Sequence, residues 1–236
     1  MLNSESNSKR RNFIKQSLTL ALSLPALPSV IMAEPTNPSR SVNDPLSSDL
    51  VHQFVGAAHG DLAKVKELLT KNPTLVNACW DWGNGDFELA IGGAAHMGSR
   101  DIANYLLDNN ARIDIFCATM LGEKNILKSF IAAMPNIVNI RGPHKHPLLF
   151  HVAINGDIDT AEMIKPHLEK ETLVNVCNKS LVAAVGHGNT SMIEWLFSNG
   201  ANNPNVKNVL GNSLLQIAEK NEKKDVILLL KKYGAK

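Results

Sequence analysis

Two histidines separated by one residue, His144 and His146, are the residues whose type and spacing most directly suggest metal binding. Both belong to one loop, so their imidazoles can reach the same ion. A protein metal site needs three or four ligands supported by ordered outer-shell contacts. No cysteine or carboxylate lies close to this pair in the sequence. The sequence therefore predicts no metal site at this loop.

A short segment with two tryptophans is the other unusual feature. The segment reads WDWGNGDF, and its members include Trp80, Asp81, Trp82 and Phe87. Tryptophan is enriched at the energetic centres of protein interfaces. The same rings could instead fold back over a gap in the packing, so a binding role and a structural role both remain open. The polar residues 83–86 predict a turn.

The sequence lacks the usual signatures of catalysis and cofactor binding. It contains no nucleophile elbow, no HExxH motif, no CxxC pair, no phosphate-binding loop and no dinucleotide fingerprint. We therefore expect no catalytic residue and no cofactor. The function most compatible with this pattern is binding.

The elements that must position these side chains follow from an internal repeat. Six anchor positions recur at intervals of 24 to 38 residues: Gly60, Gly98, Gly122, Gly156, Gly188 and Glu222. The positions five and eight residues after each anchor are apolar in all six rows, and the position four residues before it is small. A spacing of three places the two apolar positions on one helix face. Each unit is thus predicted to be a helix, a tight turn at the anchor and a second, amphipathic helix.

This pattern resembles the ankyrin repeat, whose period is about 33 residues. The resemblance is clearest in the last rows, where 199–202 and 233–235 read NGAN and YGA, like the turn that ends such a repeat. The segment 211–218 is similar to the opening of the repeat. The resemblance covers 48–236 and implies an all-α ankyrin-repeat solenoid of about six helix-turn-helix units with finger loops.

The repeat alignment assigns structural roles to other residues. His151 and Cys117 fall in a column that is predicted to be core. His59 and His187 stand beside turn glycines, and a histidine at that place is expected to bond the local backbone.

The N-terminus resembles a twin-arginine export signal. Arg10 and Arg11 are followed by an apolar stretch over 18–33 that two prolines interrupt. A membrane anchor fits less well, because a spanning helix needs about 20 apolar residues. The resemblance implies a signal peptide over 1–33, a flexible linker over 34–47, and a bacterial protein that works in the periplasm or is secreted.

The composition limits the classes of partner. The chain has 236 residues, of which 44% are hydrophobic and 19% charged, and a formal net charge of +2. A charge so close to zero excludes nucleic acid as the default partner. We also expect a monomer, with no stable membrane insertion after signal cleavage.

Two hypotheses for function follow. The first is a non-enzymatic protein–protein interaction module, whose partner is another protein of unknown identity. Its predicted surface comprises Trp80, Asp81, Trp82, Phe87, Arg141, His144 and His146. The second is a small-ligand or metal-binding protein, with or without enzymatic activity, that uses a pocket between the Trp80 loop and the His144 loop.

Overall fold

The computed structural model describes residues 44–236. Within this part of the chain the protein is mostly helical, with twelve α-helices and little strand, which confirms the all-α class. The predicted signal over 1–33 and most of the predicted linker lie outside the described residues. None of the helices in the described part combines the length and the apolar content needed to cross a membrane.

The helices occur as six consecutive pairs. In chain order they are α1 Ser48–Ala57 and α2 Leu62–Lys71, α3 Ala90–Met97 and α4 Arg100–Asp108, α5 Ile115–Leu121 and α6 Lys124–Ala133, α7 Leu148–Asn155 and α8 Ile158–Ile164, α9 Leu173–His187 and α10 Thr190–Ser198, and α11 Leu214–Lys220 and α12 Lys224–Lys232. Short 3₁₀ segments connect some of them: Pro73–Asn77, Pro135–Asn139, Pro143–Lys145 and Lys165–His167.

The first helices of the pairs pack side by side in chain order. Helix α1 contacts α3, α3 contacts α5, α5 contacts α7, α7 contacts α9, and α9 contacts α11, while each also packs on the second helix of its own pair. The apolar columns lie in the resulting core, as the full burial of Val65, Leu106 and Ile193 illustrates. His151 and Cys117 are also fully buried, so the prediction that they belong to the core is confirmed.

Left-handed residues end five of the six first helices. Gly98, Gly122, Gly156 and Gly188 have φ between 71° and 79°, and Glu222 has φ of 54°. Glycine reaches this region without the Cβ penalty that other residues meet. The predicted tight turn is therefore confirmed at these five anchors.

The predicted turn is also present at the first anchor, Gly60, but there it has no positive φ. Helix α1 ends there in Ala58, whose backbone is still right-handed. The Asp61 N–H then donates to the carbonyl of Ala57 at 2.8 Å. The chain thus leaves the helix by a turn that needs no left-handed residue.

The aromatic segment forms a β-hairpin rather than the loop that the sequence predicts. Strand β1, Cys79–Asp81, pairs antiparallel with strand β2, Phe87–Leu89, and the predicted turn over 83–86 is confirmed between them. Side chains alternate along a strand, so Phe87 is 63% exposed whereas Glu88 is completely buried. Because β1 contacts α1 and β2 contacts α3, the hairpin brings a carboxylate to the first two helix pairs.

A candidate metal centre

Four side chains from separate parts of the chain converge beside the first two helix pairs: His59, Glu88, His96 and His144. Each offers one ligand atom, an imidazole nitrogen or a carboxylate oxygen, and these atoms all lie within 4.8 Å of one another. We call these four residues the imidazole–carboxylate cluster.

His59 follows the end of α1, and its ring is oriented by the backbone of that helix. Its Nδ1 lies 3.1 Å from the carbonyl oxygen of Val55. A carbonyl only accepts hydrogen bonds, so Nδ1 carries the proton and donates it. The other nitrogen, Nε2, lies 3.2 Å from a Glu88 carboxylate oxygen. The prediction that His59 bonds the local backbone is thus confirmed for Nδ1. It did not include the contact of Nε2 with Glu88.

His144 is held by the hairpin turn. Its backbone N–H donates to Asp86 Oδ1 at 2.8 Å, and its ring Nδ1 lies 2.9 Å from Asp86 Oδ2. Because a carboxylate is an acceptor, Nδ1 carries the ring proton. Nε2 is then left facing Glu88, at a distance of 3.6 Å.

Glu88 lies at the centre of the cluster and carries a negative charge. Burial raises the pKa of Glu88, but the contacts with His59 and His96 outweigh it and lower that pKa to about 2. The contact with Glu88 raises the pKa of His59 against the opposing effect of burial. The Trp82 indole N–H donates to Glu88 Oε2 at 2.7 Å, which fixes the plane of the carboxylate.

Two buried atoms of the cluster face each other without a hydrogen bond. Glu88 Oε1 and His96 Nδ1 are 3.0 Å apart, yet neither has a partner of acceptable geometry. A buried polar atom left unpaired costs about 1–3 kcal/mol. A third atom that contacts both of them, placed to one side of the line that joins them, would satisfy these two atoms.

The distances from Glu88 to the three imidazoles are close to those in a tetrahedral metal site, while the ligand atoms of the whole cluster spread over as much as 4.8 Å. The Glu88 oxygens lie 3.0, 3.2 and 3.6 Å from the nearest nitrogens of His96, His59 and His144. Ligand atoms about 2.1 Å from a zinc ion at tetrahedral angles are about 3.4 Å from one another. The side chains of His59 and His144 are 26% and 28% exposed, so an ion can reach the centre from solvent.

The two loops singled out by the sequence meet at this cluster. His144 is one of its members, and Trp82 hydrogen-bonds it. His146 lies beside it, with its ring stacked on Phe150 at a centroid distance of 4.0 Å and 5.6 Å from the ring of His96. Burial, and then the nearby His96 and His144, lower the pKa of His146 to about 3.

The other four predicted surface residues lie outside the cluster: Trp80, Asp81, Phe87 and Arg141. The Trp80 ring lies 4.8 Å from the ring of His52. Asp81 accepts a hydrogen bond from the Gly83 N–H within the hairpin turn. Phe87 and Arg141 line a groove of about 380 Å³ whose wall includes Asp86.

Three members of the cluster were missed by reasoning from the sequence: His59, Glu88 and His96. A signal for the two histidines existed, since they stand one and two residues before the successive anchors Gly60 and Gly98. Adjacent repeat units place such positions side by side. The sequence offered no comparable signal for Glu88, because its inward direction depends on the register of an unforeseen hairpin.

Comparisons with known proteins do not assign a function to this chain. No protein-family model matches the chain, and no curated protein matches it. A chain from the solved structure of the Bd0816 predatory endopeptidase of Bdellovibrio bacteriovorus in complex with the immunity protein Bd3460 is similar. The identity is 27%, the similarity covers 76% of this chain and 97% of that chain, and the TM-score is 0.42. A TM-score of that size carries no argument about this protein.

Proposed function

We propose that this protein binds a divalent transition-metal ion, with zinc as the best match, through His59, Glu88, His96 and His144. One observation carries the proposal: three imidazole nitrogens point at a fully buried carboxylate, and one of those contacts, at 3.0 Å, is not a hydrogen bond.

A metal ion between these groups would give each of them a favourable partner. Nδ1 is the donor in both His59 and His144, so in the neutral rings Nε2 presents a lone pair to the oxygens of Glu88. Lone pairs at such distances repel each other. A second proton on His59 would relieve one contact only. A metal ion would relieve all of them and would also provide a partner for His96 Nδ1 and Glu88 Oε1.

Zinc fits the ligand set better than other abundant divalent ions. Calcium and magnesium prefer oxygen ligands, whereas three imidazoles and one carboxylate suit zinc and neighbouring transition metals. Metal-bound histidines usually donate their second N–H to a carbonyl or a carboxylate. Val55 and Asp86 accept from His59 and His144 in this way.

The scaffold that we propose is an ankyrin-repeat solenoid of about six units. The proposal is supported by the row of first helices, the left-handed residues at five anchors and the buried apolar columns. These features match the resemblance carried by the NGAN and YGA turns. In this arrangement the hairpin is an insertion before the second unit.

We also propose export by the twin-arginine route to the periplasm or beyond. Its support is the Arg10–Arg11 pair followed by an apolar stretch. Replacing both arginines by lysine should retain the full-length chain in the cytoplasm of a bacterial host. Periplasmic delivery that is unaffected by the double replacement would contradict this route.

The metal proposal is tested by the zinc content of the full chain, purified after expression with added zinc. We expect about one zinc ion per chain in the wild type and almost none in Glu88→Gln, which keeps the shape of the side chain. His167→Ala, outside the cluster, is the matched control and should retain full zinc content. A wild type that binds no zinc, or a Glu88→Gln variant that binds as much as the wild type, would refute the proposal.

Protein–protein interaction is the second candidate function, and exposure of Phe87 on the outer face of β2 favours it. Phe87 and Arg141 line the same groove, so a partner could find an aromatic and a cationic contact together. Phe87→Ala should weaken capture of a partner from bacterial extract without changing zinc content. Unchanged capture of every partner would count against the groove.

A further inference from the structure

We infer that Asp86 is a positioning residue for the metal ligand His144, an inference that rests on the proposed metal function. Asp86 stands in the hairpin turn, far from His144 in sequence, and is not itself one of the four cluster members. It contacts His144 twice, through the backbone N–H at 2.8 Å and through Nδ1 at 2.9 Å.

The ring contact decides which nitrogen of His144 is free to bind a metal. The Oδ2 atom of Asp86 can only accept, so the ring proton stays on Nδ1 and the lone pair stays on Nε2, the nitrogen that faces Glu88. Carboxylates in this position orient metal-binding histidines and make them better ligands. Asp86 thereby selects the metal-binding form of the ring before any ion arrives.

The backbone contact holds a turn that is otherwise unfavourable. His144 and Lys145 are consecutive non-glycine residues with φ of 54° and 57°, in the left-handed region. Their Cβ atoms disfavour this conformation, and such strain is maintained only when surrounding contacts enforce it. The Asp86 carboxylate supplies one of these contacts.

A second contact seats the same turn on α3. The turn begins at Pro143, and a Cβ atom on Gly92 of α3 would lie only 3.2 Å from Pro143 Cγ. The absence of a side chain at Gly92 thus allows the turn to approach the helix. Pro143 on one side and Asp86 on the other thus both hold the turn that carries His144.

The first test replaces Asp86 by asparagine in the full chain. Asp86→Asn keeps the shape but can place an NH₂ group opposite Nδ1, which moves the ring proton to Nε2 and blocks metal binding there. Zinc affinity, measured by competition with a chromophoric chelator, should fall about 10–100-fold. Asp159→Asn is the control, because the Asp159 side chain is 90% exposed and lies outside the cluster, and its affinity should equal that of the wild type.

Cobalt substitution separates ligand positioning from general stability. The wild type saturated with Co²⁺ should show the strong visible absorption of a tetrahedral site. Asp86→Asn saturated with Co²⁺ should show weaker, shifted bands, because His144 no longer coordinates correctly. A purely structural role for Asp86 would leave the spectrum of the saturated variant unchanged.

The strain argument has its own pair of variants. In an Asp86→Ala background, Lys145→Gly should recover part of the lost zinc affinity, because glycine adopts a positive φ freely. Lys145→Ala in the same background removes the same charged side chain but keeps Cβ, so it should recover none. Equal affinities for these two double variants would overturn the role assigned to the strained turn.

The outcomes for the two proposals are distinguishable. If the wild type binds no zinc, both the proposed function and the role of Asp86 fail. If the wild type binds zinc and Asp86→Asn binds it as tightly, with an unchanged cobalt spectrum, only the role of Asp86 fails.

Discussion

His59 and His187 occupy equivalent positions, each one residue before an anchor glycine, but their surroundings differ. Glu88 faces His59 and raises its pKa. Burial, followed by the charges of Lys223 and Arg100, lowers the pKa of His187. The same place in the repeat therefore favours a charged or metal-bound imidazole in the first unit and a neutral imidazole in the fifth.

The difference arises from the hairpin and not from the repeat itself. The hairpin directs Glu88 towards the end of α1, whereas the ring of His187 packs where Gly98 has no side chain. A Cβ atom on Gly98 would lie 2.5 Å from His187 Cε1. The repeat supplies histidines at the ends of helices, and an inserted carboxylate turns one of them into a candidate ligand.

The sharpest way to break this comparison is to remove each histidine in turn. His59→Ala should lower zinc affinity by at least about 100-fold, beyond the usual effect of an outer-shell residue. His187→Ala should leave the affinity unchanged, because that ring lies outside the cluster. Isothermal titration with a competing chelator measures both, and equal losses in the two variants would contradict the distinction.

Zinc should stabilise the folded protein through the first units. Free zinc at 100 times its dissociation constant should raise the free energy of unfolding by about 2.7 kcal/mol. For a domain of this size that corresponds to an increase in Tm of about 5–10 °C. Differential scanning calorimetry with zinc and with EDTA gives the shift, and Glu88→Gln should show none. A shift of the same size in that variant would place the bound zinc elsewhere.

His151 extends the comparison to a histidine enclosed by the aromatic rings of Phe116 and Phe150. Burial lowers the pKa of His151 to about 3 from an ordinary value of 6.5. Between these values the unfolded chain binds a proton that the folded chain rejects, so stability falls as the pH falls. The loss approaches about 1.4 kcal/mol per pH unit.

Urea unfolding in EDTA between pH 6 and pH 4 tests this effect of His151. His151→Leu should remove up to about 1.4 kcal/mol per pH unit from the slope of stability against pH. An identical slope in the wild type and the variant would show that His151 does not titrate in this range.

The smallest effect concerns the glycines that follow the two compared histidines. Gly188 has φ of 79°, and an added Cβ would meet the Lys223 side chain at 3.2 Å. Gly188→Ala should therefore cost about 1 kcal/mol of stability. Gly60 has open space and no positive φ, so Gly60→Ala should change stability by less than about 0.5 kcal/mol. Chemical denaturation of both variants decides the matter.

The helical scaffold was predictable because its signal is local and periodic. The columns after each anchor correctly indicate buried faces at Val65, Leu106 and Ile193. The turn at Gly60 differs in type from the others, because α1 ends in a right-handed residue there. Anchor glycines show where a turn occurs but not which turn forms.

The site was only partly predictable because its members are distant in sequence. Trp82 and His144 were identified individually, and the structure joins their segments through Asp86. The decisive carboxylate, Glu88, could not be placed, because a shift of one residue in strand register would have pointed it outward and Phe87 inward. The sequence predicted no metal site because no carboxylate lies close to His144 and His146 in the sequence. The hairpin brings Glu88 to the cluster from a distant part of the chain.

The most direct test is a crystal structure of the full chain grown with zinc, with anomalous data collected on both sides of the zinc absorption edge. We predict a single strong peak within about 2.0–2.2 Å of His59 Nε2, His96 Nδ1, His144 Nε2 and a Glu88 oxygen. A zinc peak elsewhere, or a cluster whose imidazoles hydrogen-bond Glu88 directly with no anomalous density between them, would contradict the metal-centre account.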